Sequence, residues 1–279
     1  MPSKKDIINK LAFPTDAVSM DIETAILYGL DWEIKNYEFK RLFGKRLPDL
    51  NYEDIFYAKK NIDKYKVNIC SLSPGFFKEE LESDQTKSEI SKIEKIIEMS
   101  EELQVDRIIV FGFKVTENVN EKNIEIISKK IIPIYEKILN LFEKKKITLL
   151  IENERNNFMN YYQIIQDVFK NIDSRYLKIN WDPCNIINEK HQINAYPDFY
   201  NKISSYIGHM HIKDGCIING EFENKMIGDG IIDWKKQFKD LISKNYEGYF
   251  VVEPHFGHRI HSTNKHLENL KKIINKVEE

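Results

Sequence analysis

A single (β/α)8 barrel is the fold class this sequence predicts, and three observations predict it. Short apolar runs alternate along the chain with longer, charged segments of helical period, the pattern of a parallel sheet with helical crossovers. Eight such runs occur, the number a closed barrel needs. The length, 279 residues, is near the roughly 250 typical of one barrel.

The expected strands are, in order, Leu11 to Thr15, Trp32 to Asn36, Val67 to Leu72, Arg107 to Phe111, Ile147 to Ile151, Leu177 to Trp181, Ile207 to Ile212 and Tyr249 to Glu253. Between them, segments such as Ile90 to Leu103 and Ile124 to Lys146 repeat Ile, Leu and Phe at three and four residues among Lys and Glu. These read as amphipathic outer helices. His266 to Val277 carries Leu267, Leu270, Ile273 and Ile274 on one face and closes the ring. No Gly/Ser-rich or Pro-rich linker breaks the series, so residues 1–279 are read as one domain. An open doubly wound sheet could use the same alternation. Binding a nucleotide, it would normally show a glycine-rich phosphate turn, and neither GxGxxG nor GxxxxGK[ST] occurs.

Composition excludes several classes. With 42% hydrophobic and 31% charged residues, and no apolar stretch approaching the roughly 18 residues of a span, a membrane protein is not expected. Charged and polar residues run through Lys10, so the N-terminus lacks a signal-peptide core and a cytoplasmic location is expected. Cys70, Cys184 and Cys216 are far apart and form no CxxC pair, which argues against a disulfide framework or zinc ribbon. The 42 basic and 44 acidic residues leave a net charge of −2 and no overall footprint for nucleic acid.

Barrel enzymes build their sites at the C-terminal ends of the strands, so the residues there matter most. Strand five ends in Leu150-Ile151-Glu152-Asn153-Glu154 and strand six in Asn180-Trp181-Asp182-Pro183-Cys184-Asn185. Strand seven reads Gly208-His209-Met210-His211-Ile212-Lys213-Asp214, and strand eight Val251-Val252-Glu253-Pro254-His255. The steps from Glu152 to Asp182 and from Asp182 to His211 are each one strand-helix unit, which lets all three share a layer. The longer step to Glu253 accommodates the loop around Gly228-Asp229-Gly230. Three carboxylates brought together would repel one another and resist desolvation unless a cation joined them. Glu152, Asp182, His211 and Glu253 are therefore the candidate ligands of one divalent metal. Three carboxylates and one imidazole suit Mn, Mg, Co or Zn without choosing among them.

His209 and His211 share one face of strand seven; the metal is assigned to His211, nearer the rim, with His209 the competing reading. Gly228 to Gly230 reads as a turn and Asp233 as a helix N-cap. Tyr37, Lys35, Arg41 and Lys45 are expected to follow strand two and are candidates for the mouth. His255, His258 and His261 fall in a loop after strand eight, where surface placement is expected and contact of one of them with substrate is the competing reading.

The segments IENE, WDPCN, GHMHIKD and VVEPH, with Ile227-Gly228-Asp229-Gly230-Ile231-Ile232-Asp233-Trp234, resemble the xylose-isomerase-like family of sugar phosphate isomerases and epimerases. The resemblance covers the C-terminal half well. It implies that Glu152, Asp182, His211 and Glu253 hold a single metal and that Glu152 and Glu253 are the paired acid/base groups. Asn185, His209 and Lys213 are the expected substrate contacts. Family epimerases acting on free ketoses often carry His at the position of Asn185 and Arg at that of Ile217, so a free-ketose assignment is weakened.

The implied chemistry is metal-assisted removal of a proton beside a carbonyl to give an enediolate, with one Glu taking a proton and the other returning one. The implied partner is a sugar, a sugar phosphate or another polyol-ketone; a homo-oligomer is left open. One rival is a lyase similar to inosose dehydratases, in which the enediolate expels water. Another is a barrel that binds a sugar or a partner without catalysis. A metal-dependent apurinic endonuclease is disfavoured, since that family recruits histidines from earlier strands and the first histidine here is His191.

Overall fold

A computed structural model describes residues 3–187, 194–255, 257 and 259–277. Eight parallel strands close into a barrel: β1 Leu11–Pro14, β2 Asn36–Phe39, β3 Asn68–Leu72, β4 Arg107–Phe111, β5 Thr148–Glu152, β6 Leu177–Trp181, β7 Ile207–Ile212 and β8 Phe250–Val252. Each strand pairs with its neighbours in sequence, and β1 closes on β8 with Leu11 opposite Phe250 and Ala12 opposite Val251. The ring has no free edge, so every strand end of one polarity lies on one rim.

The outer helices follow the amphipathic pattern. In Ile124–Lys144 the buried residues Ile127, Ile131, Tyr135, Ile138, Leu139 and Phe142 form the face turned to the sheet. Local capping sets the starts: Asp21 accepts from Thr24 N ahead of Ile22–Asp31, and Asn51 forms a reciprocal box with Asp54 ahead of Tyr52–Tyr65. The expected helix Ile90 to Leu103 is two helices, Asp84–Ser91 and Ile93–Leu103, meeting at Lys92. The closing helix starts earlier than expected and spans Arg259–Asn275.

Seven expected strands lie within two residues of their positions, whereas β2 does not. Trp32 caps the preceding helix, its N–H bonded to Tyr28 O and Gly29 O, and the strand begins only at Asn36. Its polarity is inverted. Tyr37 and Phe39 are buried against the helical layer, with the Tyr37 hydroxyl donating to Ile34 O and Ile26 O. Asn36, Glu38 and Lys40 take the alternate positions, toward the barrel interior. Lys35 and Tyr37 are therefore not mouth residues: Lys35 precedes β2, and Tyr37 faces outward. Arg41 and Lys45 do follow the strand, in a short hairpin of Arg41–Leu42 with Lys45–Arg46, where Lys45 pairs with Asp54 at 2.7 Å.

The long connection from β7 to β8 contains a second hairpin, Asp214–Ile218 with Glu221–Lys225, which periodicity did not suggest. The turn expected at Gly228 is present, with φ +94°, and Asp233 caps Trp234–Ser243 by accepting from Lys236 N. Asp214 anchors this loop. Its two oxygens accept from the N–H groups of Gly215, Gly228 and Ile232. A Cβ on Gly230 would stand 2.0 Å from Asp214 Oδ1 and 2.6 Å from Gly215 N, which explains a glycine there. No helix among the described residues is long and apolar enough to cross a membrane.

Candidate metal centre

Alternation along each strand decides which side chains fill the barrel. Small and apolar residues, Ala12, Cys70 and Val251, form a buried cluster apart from the core between strands and helices. Above them the interior turns polar. Glu152 closes β5, Asp182 follows β6, His211 stands near the end of β7 and Glu253 follows β8, all four buried. One ligand-type atom from each lies within 4.8 Å of every other, so four successive strand ends, spread from Glu152 to Glu253 in sequence, converge on one point.

His211 is at the centre. Its Nδ1 lies 3.3 Å from Glu152 Oε2 and 3.4 Å from Glu253 Oε2, and it is buried without a hydrogen bond. Oxygen and nitrogen ligands at about 2.1 Å from a common cation stand roughly 3 to 4 Å apart. His211 and the two glutamates have that spacing, and the four residues together, within 4.8 Å, have the donor types that fit a divalent ion.

Neighbouring amides hold the carboxylates. Asn180 Nδ2 donates to Glu152 Oε2 at 3.1 Å. Asp182 Oδ1 accepts from Cys184 N at 2.9 Å, and Oδ2 accepts from Asn185 Nδ2 at 3.1 Å. Asn153 clasps the Asp182 backbone from both sides, donating to its carbonyl and accepting from its N–H. Asn185 is 5% exposed and its carbonyl accepts from Asn160, so the amide bonds to Asp182 rather than reaching into open space.

Two lysines supply positive charge. Lys213 Nζ lies 2.6 Å from Asp182 Oδ2 and 3.9 Å from Glu253 Oε2. Lys40 Nζ pairs with Glu38 Oε1 at 2.9 Å and contacts Glu253 Oε1 directly. Burial opposes ionisation of Glu253, but His211 and Lys40 outweigh it and hold its carboxyl well below the usual range. In Asp182 burial wins: the carboxyl is raised, with Lys213 only partly offsetting it. Burial disfavours charge on His211 too, yet Glu253, Glu152 and Glu38 keep it protonated well above the ordinary histidine value. His211 and the two lysines thus lie against the three carboxylates from several sides.

His209 occupies the level below. It is fully buried, its Nε2 3.7 Å from Glu38 Oε2 and its ring 6.0 Å from that of His211, and burial pushes its pKa down. It stands outside the four-residue cluster, though Glu38, His209 and His211 form a second close group. Glu38 and Lys40 are the site residues that sequence reasoning missed. The signal was the period-two alternation Asn36, Glu38, Lys40 itself, once polar residues are allowed to face inward.

The mouth opens beside Glu253 as a cleft of about 160 Å³ lined by Asp16, Lys40, Glu253, His255 and Arg259 among others. His255 Nε2 reaches Glu253 Oε2 at 3.5 Å, while His261 is exposed in the first turn of the closing helix Arg259–Asn275 rather than in a loop. His258 and His191 lie outside the described residues. A larger cleft of about 520 Å³ opens at the other end of the barrel, around Arg107, Arg175 and Lys178, and holds none of the cluster residues.

A barrel of this topology with this mouth defines a class of (β/α)8 proteins, and the comparisons place the chain within it. The family profile for the xylose isomerase-like TIM barrel matches residues 35–273, and the chain belongs to that family. No curated protein sequence matches it. Among solved structures, a D-tagatose 3-epimerase-like protein superposes with a TM-score of 0.74 at 19% identity, covering 96% of this chain and 98% of its own. A xylose isomerase-like TIM barrel protein from Mycobacterium smegmatis, in complex with magnesium, gives 0.72 at 10% identity, covering 99% of both chains. The probable 3-DHS dehydratase AsbF of Bacillus anthracis, involved in petrobactin synthesis, gives 0.71 at 16% identity, covering 96% of this chain and 99% of its own. At these identities the likeness is one of fold.

Proposed function

We propose that the protein is a divalent-metal-dependent isomerase or epimerase of a sugar, a sugar phosphate or a related polyol-ketone. The observation that carries this reading is the convergence of Glu152, Asp182, His211 and Glu253 to within 4.8 Å, all buried, at the catalytic rim of the barrel. Three carboxylates are stable there only with compensating charge, and the donor set suits Mn, Mg, Co or Zn. A family neighbour that binds magnesium is consistent with such a site.

A bound cation would supply Lewis acidity to a substrate carbonyl, easing removal of the adjacent C–H proton. Glu152 and Glu253 provide the proton transfers. They come from β5 and β8, with β6 and β7 between them in the ring, so they flank the site from separate walls. One takes the proton from carbon and the other returns one, inverting the carbon or moving the carbonyl. Lys40 and Lys213, held protonated among carboxylates, stay cationic and offer N–H donors to substrate oxygens near Glu253. Asn185 and His209, engaged with Asp182 and adjacent to Glu38, contribute through those neighbours.

A second reading is a lyase, favoured by the likeness in fold to the probable dehydratase of B. anthracis: the same proton removal followed by loss of a β-hydroxyl as water. One experiment separates them. Ketoses, ketose phosphates and cyclic polyol-ketones are incubated with the protein and Mn²⁺, Mg²⁺, Co²⁺ or Zn²⁺ in D₂O and followed by NMR. Solvent deuterium beside the carbonyl with an epimer or aldose as product supports the proposal, and loss of water supports the lyase. Binding without exchange across all metals would leave a barrel that binds its ligand without chemistry.

A further inference from the structure

Beneath the four-residue cluster lies a carboxylate that the proposed chemistry does not use. Glu38 is fully buried, yet four polar groups address it. Ser71 Oγ donates to Oε2 at 2.8 Å, His211 Nε2 stands 3.1 Å from the same oxygen, and Lys40 pairs with Oε1 at 2.9 Å. His209 Nε2 is 3.7 Å away, beyond hydrogen-bond reach. An isolated buried carboxylate would protonate or destabilise the fold. Here the Lys40 ammonium pairs with Oε1 and the Ser71 hydroxyl donates to Oε2, so each oxygen of Glu38 is engaged as an acceptor.

An ionised carboxylate only accepts hydrogen bonds. The 3.1 Å contact therefore requires the proton on His211 Nε2. That nitrogen keeps its proton, and when the imidazole is neutral the lone pair is on Nδ1, the atom facing Glu152 and Glu253. Lys40 extends the arrangement, since the same ammonium joins Glu38 to Glu253. One buried carboxylate thus orients the ligand on β7 and, through Lys40, the one on β8.

We propose that Glu38 is a positioning residue for the metal centre, fixing the Nε2–H tautomer and ring orientation of His211 and steadying Glu253 through Lys40. The inference rests on the metal-site reading above and assigns a role to a residue outside the four ligands. Hydrogen-bond partners of metal-bound imidazoles set the tautomer and the ligand's basicity, and their loss costs about 10- to 100-fold in metal affinity.

The test is Mn²⁺ titration of the full chain and of Glu38→Gln and Glu38→Leu, with circular dichroism to follow folding. Glu38→Leu should weaken Mn²⁺ binding by about 10- to 100-fold. Glu38→Gln, which retains an acceptor oxygen, should lose less. A readout that does not depend on either variant folding is the imidazole ¹⁵N spectrum of the wild-type chain loaded with Mg²⁺ or Zn²⁺, where His211 should show a protonated Nε2 and an unprotonated, metal-shifted Nδ1. Equal Mn²⁺ affinity in the wild type and a folded Glu38→Leu, or a proton on Nδ1 in the loaded protein, would overturn the assignment while leaving the metal site standing. Failure of the wild type to bind Mn²⁺, Mg²⁺ or Zn²⁺ would overturn the metal site and this inference with it.

Discussion

Metal uptake should expel a proton from His211, and that release can be counted. In the metal-free chain the imidazole is protonated because Glu253, Glu152 and Glu38 surround it, raising its pKa well above 6.5 against the effect of burial. Its Nδ1 has no hydrogen bond and faces the two glutamates that would share a cation with it. Metal and proton therefore compete for one nitrogen. Lys40 and Lys213 do not enter the count, because both are held protonated above the ordinary lysine value. Below the folded pKa of His211, each pH unit downward should weaken metal binding about tenfold, or about 1.4 kcal/mol. From about pH 8 to about pH 6 the loss approaches a hundredfold if the pKa lies above that window. Calorimetric titration with Mn²⁺ in buffers of different ionisation enthalpy gives the number of protons directly, and about one per chain is expected near pH 7. A pH-independent affinity, or the same release from a His211→Gln variant, would refute the reasoning.

Further outcomes follow from individual contacts. Glu152→Gln and Glu253→Gln should each fold but lose about 10²- to 10⁴-fold in turnover on a responsive substrate, because an amide keeps a polar contact but cannot exchange the proton; near-wild-type rates would remove that residue from the pair. Gly230→Ala should lower stability by about 1–3 kcal/mol in denaturant melts, since the new Cβ meets Asp214 Oδ1 at 2.0 Å and the Gly215 backbone at 2.6 Å, leaving little that can yield. His266, buried and accepting from Ile227 N through Nδ1 at 3.3 Å, has its pKa pushed down to about 4 from 6.5 by burial, with His255 adding repulsion. The unfolded chain binds that proton first, so the contribution is complete above pH 6.5 and is lost as pH falls toward about 4, at up to about 1.4 kcal/mol per unit. His266→Asn, which offers an acceptor without titrating, should flatten that slope in pH-dependent unfolding curves.

The fold was legible because outward-facing strand positions and inward-facing helix positions both fill one apolar layer, producing eight apolar runs between helical periods. The ligand set was legible for a related reason: at β5, β6, β7 and β8 an apolar run gives way abruptly to Glu152, Asp182, His211 or Glu253. β2 offered no such step. Its inward residues Asn36, Glu38 and Lys40 are polar throughout and its outward residues are only Tyr37 and Phe39, so the apolar run at Trp32 drew the expected strand four residues early. That shift turned Lys35 and Tyr37 into apparent mouth residues and hid Glu38 and Lys40. Side-chain pairing caused the error, because a carboxylate occupies the interior only beside partners, and of those of Glu38 only Lys40 is near in sequence, Ser71 and His211 coming from other strands. Asp214, within the GHMHIKD segment that carried the resemblance, shows the converse: its contacts to Gly215, Gly228 and Ile232 give it a part in shaping the β7–β8 connection.

The most direct test of the metal centre is anomalous diffraction from crystals grown with Mn²⁺. One strong peak is predicted, about 2.1 Å from an oxygen of each of Glu152, Asp182 and Glu253 and from His211 Nδ1, with Lys213 displaced from Asp182. No peak at that point, or one among Glu38, His209 and His211 instead, would contradict the account.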